Sequence, residues 1–236
     1  MRERIPTSAG LLFAAILICA SQAHAQQTVN FTIGHFAPVD FDARVSDSGL
    51  TDDVIAENAG FLVFDIDDFG GASFGGEWLV GLGRFLEAGA GVSYTSQTVP
   101  SFYRDYVDPD GTEVDQDLHL RITPIAFTVR VLPFGQSTPI QPYFGGGLGI
   151  FNWKYRESGE FINFAAGRTI FVDSFEATGT STGAVVVGGV RFAGRRFTAG
   201  GEIRYQHASG DMPSDFSAPK IDLGGWTYNF TVGARF

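Results

Sequence analysis

The chain has 236 residues and a formal charge of −10, which argues against the basic face a nucleic-acid partner requires. Its 31 glycines and 23 phenylalanines, with lysine nearly absent, accompany short alternating stretches rather than long 3.6-residue stripes, a pattern of all-β chains. No apolar run reaches 18 residues, so a transmembrane helix is excluded, and the single cysteine excludes a disulfide framework.

Residues 1–25 read as a cleaved targeting segment. Arg2 and Arg4 form a positive start, Leu11 to Ala20 an apolar stretch, and Ala23-His24-Ala25 a small-residue cleavage site. The apolar stretch is too short to span a bilayer. Cys19 lies within it, preceded by Ile18 rather than the small residue a lipoprotein signal would place there. The remainder, 26–236, is of a size for one domain.

Eight alternating segments follow in order. Val29, Phe31 and Ile33 share one face of the first, Thr28 to His35. An acidic segment runs from Asp40 to Asp68, and its Phe61–Asp67 run reads as an extension of a barrel wall above the membrane. Ser73–Gly83 and Leu86–Thr95 form the clearest hairpin, about a turn at Arg84-Phe85. Gln97–Asp117 reads as a polar loop. Leu118, Leu120 and Ile122 then alternate with His119, Arg121 and Thr123, and beyond Pro124 the apolar phase moves to Ile125, Phe127, Val129 and Val131. A bulge at the proline would produce that change. In Pro142–Phe151, Gly145, Gly147 and Gly149 form an inward row that leaves room for large interior side chains, and Trp153 and Tyr155 read as an interfacial girdle. Arg156 to about Ala177 reads as a third loop. Thr180–Phe192 and Phe197–Gln206 are joined by the turn Ala193–Arg196, and His207–Lys220 is the last loop.

The eighth segment is the most regular. Trp226, Tyr228, Phe230, Val232, Ala234 and Phe236 oppose Thr227, Asn229, Thr231, Gly233 and Arg235. At ~3.3 Å per residue and a ~45° tilt, Trp226 to Phe236 spans roughly 24 Å, close to the ~25 Å lipid-facing band of a membrane barrel. The expected fold is therefore all-β, an eight-stranded antiparallel up-and-down transmembrane barrel. Short turns fall near 84, 135 and 194 and long loops near 55, 107, 166 and 214. The short turns and both termini are expected on the periplasmic side, with the long loops extracellular. A soluble sandwich or lipocalin-like barrel would instead turn the apolar faces inward.

The targeting segment, the eight strands, the Pro142-Tyr-Phe-Gly-Gly-Gly-Leu-Gly run and the closing Trp226–Phe236 together resemble the small outer-membrane β-barrel superfamily (OmpA/OmpX/OmpW-like). The resemblance implies a location in the outer membrane of a Gram-negative-type bacterium. It also implies that Trp226, Tyr228, Phe230 and Phe236 serve as interface girdle and as the signal read by the barrel-insertion machinery. Expected partners are outer-membrane lipid and that machinery, with a monomeric protein. The chain departs from the OmpA pattern in lacking an appended peptidoglycan-binding domain.

By parity Glu77, Glu87, Arg121, Arg130, Arg191, Glu202, Arg204 and Arg235 fall on interior polar faces. Charges in so narrow a lumen must pair, which gives a packed ion-pair plug or, alternatively, a gated ion path. Asp108, Asp110 and Asp115 sit about a Pro-Asp-Gly turn with partial calcium-loop spacing, and Asp65, Asp67 and Asp68 form a vaguer acidic group. No other cofactor is implied. His207 and Ser209, with Asp222 on the neighbouring strand, resemble the His-x-Ser motif of outer-membrane lipid A deacylases, although Gly210 stands where asparagine is expected. The functional expectation is a non-catalytic outer-membrane protein whose acidic extracellular loops contact lipid, ions or external partners. The alternatives are a narrow pore or hydrophobic-solute conduit, and a lipid A-modifying enzyme.

Overall fold

The computed structural model describes residues 26–46, 49–108, 110–163 and 167–236. The expected targeting segment, 1–25, lies outside the described residues. Along the chain come β1 (Gln27–Pro38), the short helices α1 (Phe41–Arg44) and α2 (Val54–Asn58), β2 (Leu62–Val63), and a 3₁₀ turn Ile66–Phe69. These are followed by β3 (Gly71–Gly81), β4 (Leu86–Val107), β5 (Glu113–Val131), β6 (Ile140–Asn163), β7 (Thr169–Ala193), β8 (Phe197–His207), β9 (Ser209–Asp211), β10 (Lys220–Asp222) and β11 (Gly225–Arg235).

Eight of these strands (β1, β3 to β8 and β11) pair antiparallel with their neighbours, and β11 closes the ring on β1 from Thr28↔Arg235 to Pro38↔Gly225. At the level where all eight strands pair, closure leaves no free sheet edge. The expected eight-stranded up-and-down barrel is the observed fold. Near the termini the strands turn tightly. Gly83 (φ +84°) and Gly135 (φ +78°) supply the left-handed backbone that two of these turns require.

At the far end the strands run well past their expected limits. The segments expected as loops at 97–117 and 156–177 are mostly strand, paired from Thr95↔Ile122 to Phe102↔Asp115 and from Phe151↔Ser181 to Asn163↔Thr169. The wall therefore has two storeys, and its polarity inverts between them. In the storey nearer the termini Ile125, Phe127 and Val129 are exposed while Ala126, Thr128 and Arg130 are buried. In the far storey Leu118, Leu120 and Ile122 are buried while Arg121 is exposed. Even-numbered residues of β5 point inward throughout, and its register with β4 and β6 passes Pro124 without a shift. The expected bulge at Pro124 is absent. The apolar phase changes because the exposed apolar belt ends at Ile125, while the direction of the side chains does not change.

The far storey holds an apolar core. Leu118, Ile122, Phe151, Trp153, Tyr155 and Val99 meet Val54 and Ile55 of α2, Leu62 of β2, Phe69, and Ile221 and Leu223 near β10. Each such side chain contributes ~1.5–3 kcal/mol by leaving water, so the acidic 40–68 segment folds into the barrel mouth. Of its expected wall extension only Leu62 and Val63 pair, with Tyr103 and Phe102 of β4. Trp153 and Tyr155, expected at an interfacial girdle, point inward with 4% and 0% exposure. Room for Trp153 comes from glycine: a Cβ at Gly179 or Gly210 would lie 2.6 or 2.5 Å from its ring.

Candidate functional site

Three carboxylates and three guanidiniums converge in the lumen of the storey nearer the termini. Arg130 on β5 bonds Glu77 on β3 and reaches Glu202 Oε2 on β8 at 3.0 Å. Arg204 contacts Glu202 Oε1 at 2.9 Å and Glu77 Oε1 at 3.4 Å. Arg191 on β7 grips Glu87 on β4 with two bonds of 3.0 and 2.8 Å, and its Nε donates to Gln141 Oε1 at 2.9 Å. All six were expected inside, and the fold brings them together. Their side chains are at most 10% exposed, so each charge depends on its counter-charge.

Tyr143 links the two groups and was not foreseen. Its hydroxyl donates to Glu202 Oε2 at 3.0 Å, and its ring lies 4.8 Å from the Arg130 guanidinium and 5.7 Å from that of Arg191. Its parity with Gly145 and Gly147, on the inward row, was the available signal.

Two of the expected interior charges lie elsewhere. Arg121 is exposed on the outer wall of the far storey, because the inside there is apolar. Arg235 is half-buried at the terminal rim and meets no carboxylate among the described residues. It bonds Gln26 and donates to the carbonyl oxygens of Gln136 at 2.7 Å and Gly194 at 3.5 Å. The Glu87 carboxylate is already held by Arg191, so the Gln26 side-chain oxygen and two backbone carbonyls take the role.

The outward side chains of β11 match their expected direction. Trp226, Tyr228, Phe230 and Phe236 are 44–69% exposed, and Phe236 exchanges backbone bonds of 2.9 Å with Gln27. With Phe31, Phe74, Phe127, Leu148, Val190 and Ile203 they form a continuous apolar belt.

The far end is built on Asp53. Its Oδ1 accepts from the backbone N–H groups of Ile55 and Ala56, capping α2, and also receives Arg44 Nη1 at 3.0 Å. Its Oδ2 accepts from the Asp222 N–H. At the other end of α2, Asn58 donates to Tyr155 Oη at 3.2 Å and Glu157 Oε1 at 2.6 Å, and accepts from Ser217 Oγ at 2.7 Å. Burial raises the Glu157 carboxyl above its ordinary range, with the Asn58 and Tyr155 hydrogen bonds partly offsetting it.

Asp108, Asp110 and Asp115 do not gather. Asp110 accepts from the Thr112 N–H at 3.0 Å and its hydroxyl at 2.7 Å, which hold its carboxyl below the usual range. Asp115 lies in the ladder opposite Phe102. Among the described residues no three acidic, histidine or cysteine side chains are placed to share a metal ion. Asp65 and Asp68 instead cap the 3₁₀ turn reciprocally. His207 and Ser209 are exposed on the outer wall, and Asp222 stands opposite Ser209 in the β9–β10 register. Asp222 Oδ1 is engaged by the Gly224 N–H at 2.6 Å, and no hydrogen bond joins the three side chains.

No protein-family model matches the chain, and no curated protein matches it. Among solved structures, the outer membrane protein OprG from Pseudomonas aeruginosa is similar at 12% identity and a TM-score of 0.51, over 90% of this chain and 96% of that one. Ail of Yersinia pestis aligns at 11% identity and a TM-score of 0.45, over 91% and 100%. Neisserial surface protein A aligns at 13% identity and 0.41, over 89% and 95%. The fold is that of the small outer-membrane β-barrels.

Proposed function

We propose that this chain is a non-catalytic integral outer-membrane protein, a closed anchor that carries a rigid extracellular storey for contact with lipid, ions or external partners. The observation that supports it is the filling of the lumen at two successive levels. Ion pairs among Glu77, Glu87, Arg130, Arg191, Glu202 and Arg204 occupy the membrane level. The apolar core about Ile55, Phe69, Trp153 and Ile221 occupies the level above. An eight-stranded barrel leaves an interior that side chains fill, and the apolar belt outside supplies the membrane anchor. The short turns and the termini then face the periplasm.

Cell fractionation and bilayer recording test this reading together. The protein is expected in the outer-membrane fraction, with migration that changes on heating, and refolded protein is expected to leave a planar bilayer electrically silent. Recovery in the soluble periplasm would overturn the membrane assignment, and steady single-channel currents would overturn the closed lumen.

A further inference from the structure

One sector of the outer wall, just beyond the apolar belt, differs from the rest. Along β5 and β6 the outward rows run Ile125↔Ile150, Thr123↔Asn152, Arg121↔Lys154, then His119↔Arg156. The register with β7 adds Thr180, Thr178 and Glu176 beside Asn152, Lys154 and Arg156. Three permanent cations and an imidazole thus form a square of cross-strand neighbours, in a chain whose formal charge is −10. Arg121 lies four residues beyond the last lipid-facing residue, Ile125. That is about 13 Å along the strand and about 9 Å along the membrane normal at ~45° tilt. That height falls at the outer margin of the headgroup layer, which extends about 5–8 Å beyond the hydrocarbon on each side.

The sector is also concave. A groove of about 310 Å³ is lined by Arg121, Thr123, Asn152, Thr178, Gly179 and Thr180, so a guanidinium, hydroxyls and an amide face one space. Arg121 makes no ion pair among the described residues, whereas Lys154 and Arg156 share Glu176 at 2.7 and 2.8 Å. The sector therefore keeps an excess of positive charge. His119 is held by Thr98 Oγ1 at 2.9 Å, and burial, with Arg156, Arg121 and Lys154 adding to it, lowers its pKa. Above the square the wall turns acidic at Asp117, Asp115 and Glu113, which confines an anion to the groove.

We infer that Arg121, Lys154 and Arg156, with the groove beside them, form a binding site for the phosphate of an outer-leaflet glycolipid of the lipid A class. The site rests on the outer-membrane reading above and assigns its lipid contact to one face. The acyl chains would lie along Ile125, Phe127, Leu148 and Ile150, directly below in the same strands. Guanidinium and ammonium groups serve phosphate well, Arg by paired donors and Lys as a point charge.

Refolded full-length protein in detergent micelles, titrated with bisphosphorylated lipid A and with lipid A stripped of phosphate, tests this by native mass spectrometry. The bisphosphorylated lipid is expected to bind at least tenfold more tightly, since each interfacial Lys or Arg contributes about 1 kcal/mol and Glu176 offsets one of the three. The combined variant Arg121→Gln, Lys154→Gln, Arg156→Gln should lose that preference while keeping heat-modifiable migration, and Lys220→Gln should keep it. Glu176→Gln should strengthen it by freeing both partners. Equal binding of the two lipids by folded wild type, or full preference in the triple variant, would overturn the site and leave the membrane reading standing. Displacement of the lipid by millimolar inorganic phosphate would assign the groove to a free anion instead. Failure to form a heat-modifiable barrel in micelles would overturn both readings.

Discussion

Asn58 on α2 and Glu157 on β6, 99 positions apart, meet through a 2.6 Å hydrogen bond that fastens the mouth segment to the barrel wall. Both stand at the edge of an apolar core, so the state of the carboxyl bears on how firmly that segment is seated.

The sign of the pH effect follows from the raised pKa. Folded Glu157 holds its proton above the ordinary value of 4.5, so between that value and the raised one the folded state binds more protons than the unfolded. Stability contributed by this group is complete below pH 4.5 and declines as pH rises through the folded value. Amide exchange at 54–58, corrected for intrinsic rates, should show weaker protection at pH 8 than at pH 5. In Glu157→Gln the dependence should flatten, and an unaltered pH profile would refute this account.

Removal of Glu202 leaves Arg130 and Arg204 sharing Glu77 alone in the lumen. Glu202→Ala should lower unfolding free energy in micelles by about 3–5 kcal/mol, as for other uncompensated buried charges. Urea midpoints measure it. The further removal of Arg204 should recover part of the loss, since one guanidinium then suffices for one carboxylate.

Trp153 occupies space that two glycines leave. Gly179→Val should destabilise by about 1–3 kcal/mol through collision with the indole ring. The same substitution in a Trp153→Leu background should cost measurably less. Additive costs in thermal unfolding would show that the ring is not what the glycine accommodates.

Asp53 caps α2 and neutralises Arg44 with one carboxylate. Asp53→Ala should release the 40–68 segment locally, giving protease cleavage there while the membrane storey stays heat-modifiable. Arg44→Met together with Asp53→Ala should be milder than Asp53→Ala alone, because no bare buried cation remains.

Ser209→Ala should leave lipid A acylation in cells unchanged. Ser209 and His207 share an outward face without a hydrogen bond between them, and Asp222 is engaged by Gly224.

The strand count, ring order, turn positions and six of the eight interior charges were legible because period two reports side-chain direction directly. The misreadings share one cause. Apolar residues mark the outside of the wall only along the exposed apolar belt. Beyond that height Leu118 and Ile122 turn inward for the same hydrophobic reason that Phe127 turns outward lower down. A uniform apolar-out rule therefore converts Arg121 into an interior charge, Trp153 and Tyr155 into a girdle, and Pro124 into a bulge. It also makes the far halves of β4 to β7 look like loops, since a water-facing strand carries polar residues as a loop does. The docking of Asn58 on Glu157 had no local signal, because it depends on contacts across the whole chain.

The hairpin of β6 and β7 keeps one register through all 24 rows, from Ile140↔Phe192 at the terminal rim to Asn163↔Thr169 at the far tip. No register shift separates the storey with the exposed apolar belt from the storey above it. A load applied at the tip, along the strands, runs parallel to them. It is shared as shear among the rows to β5, which extend from Gln116↔Gly159 to Val131↔Phe144. In the proposed membrane orientation the tip would act as a mast stepped through the deck, passing tension down the ladder without a hinge.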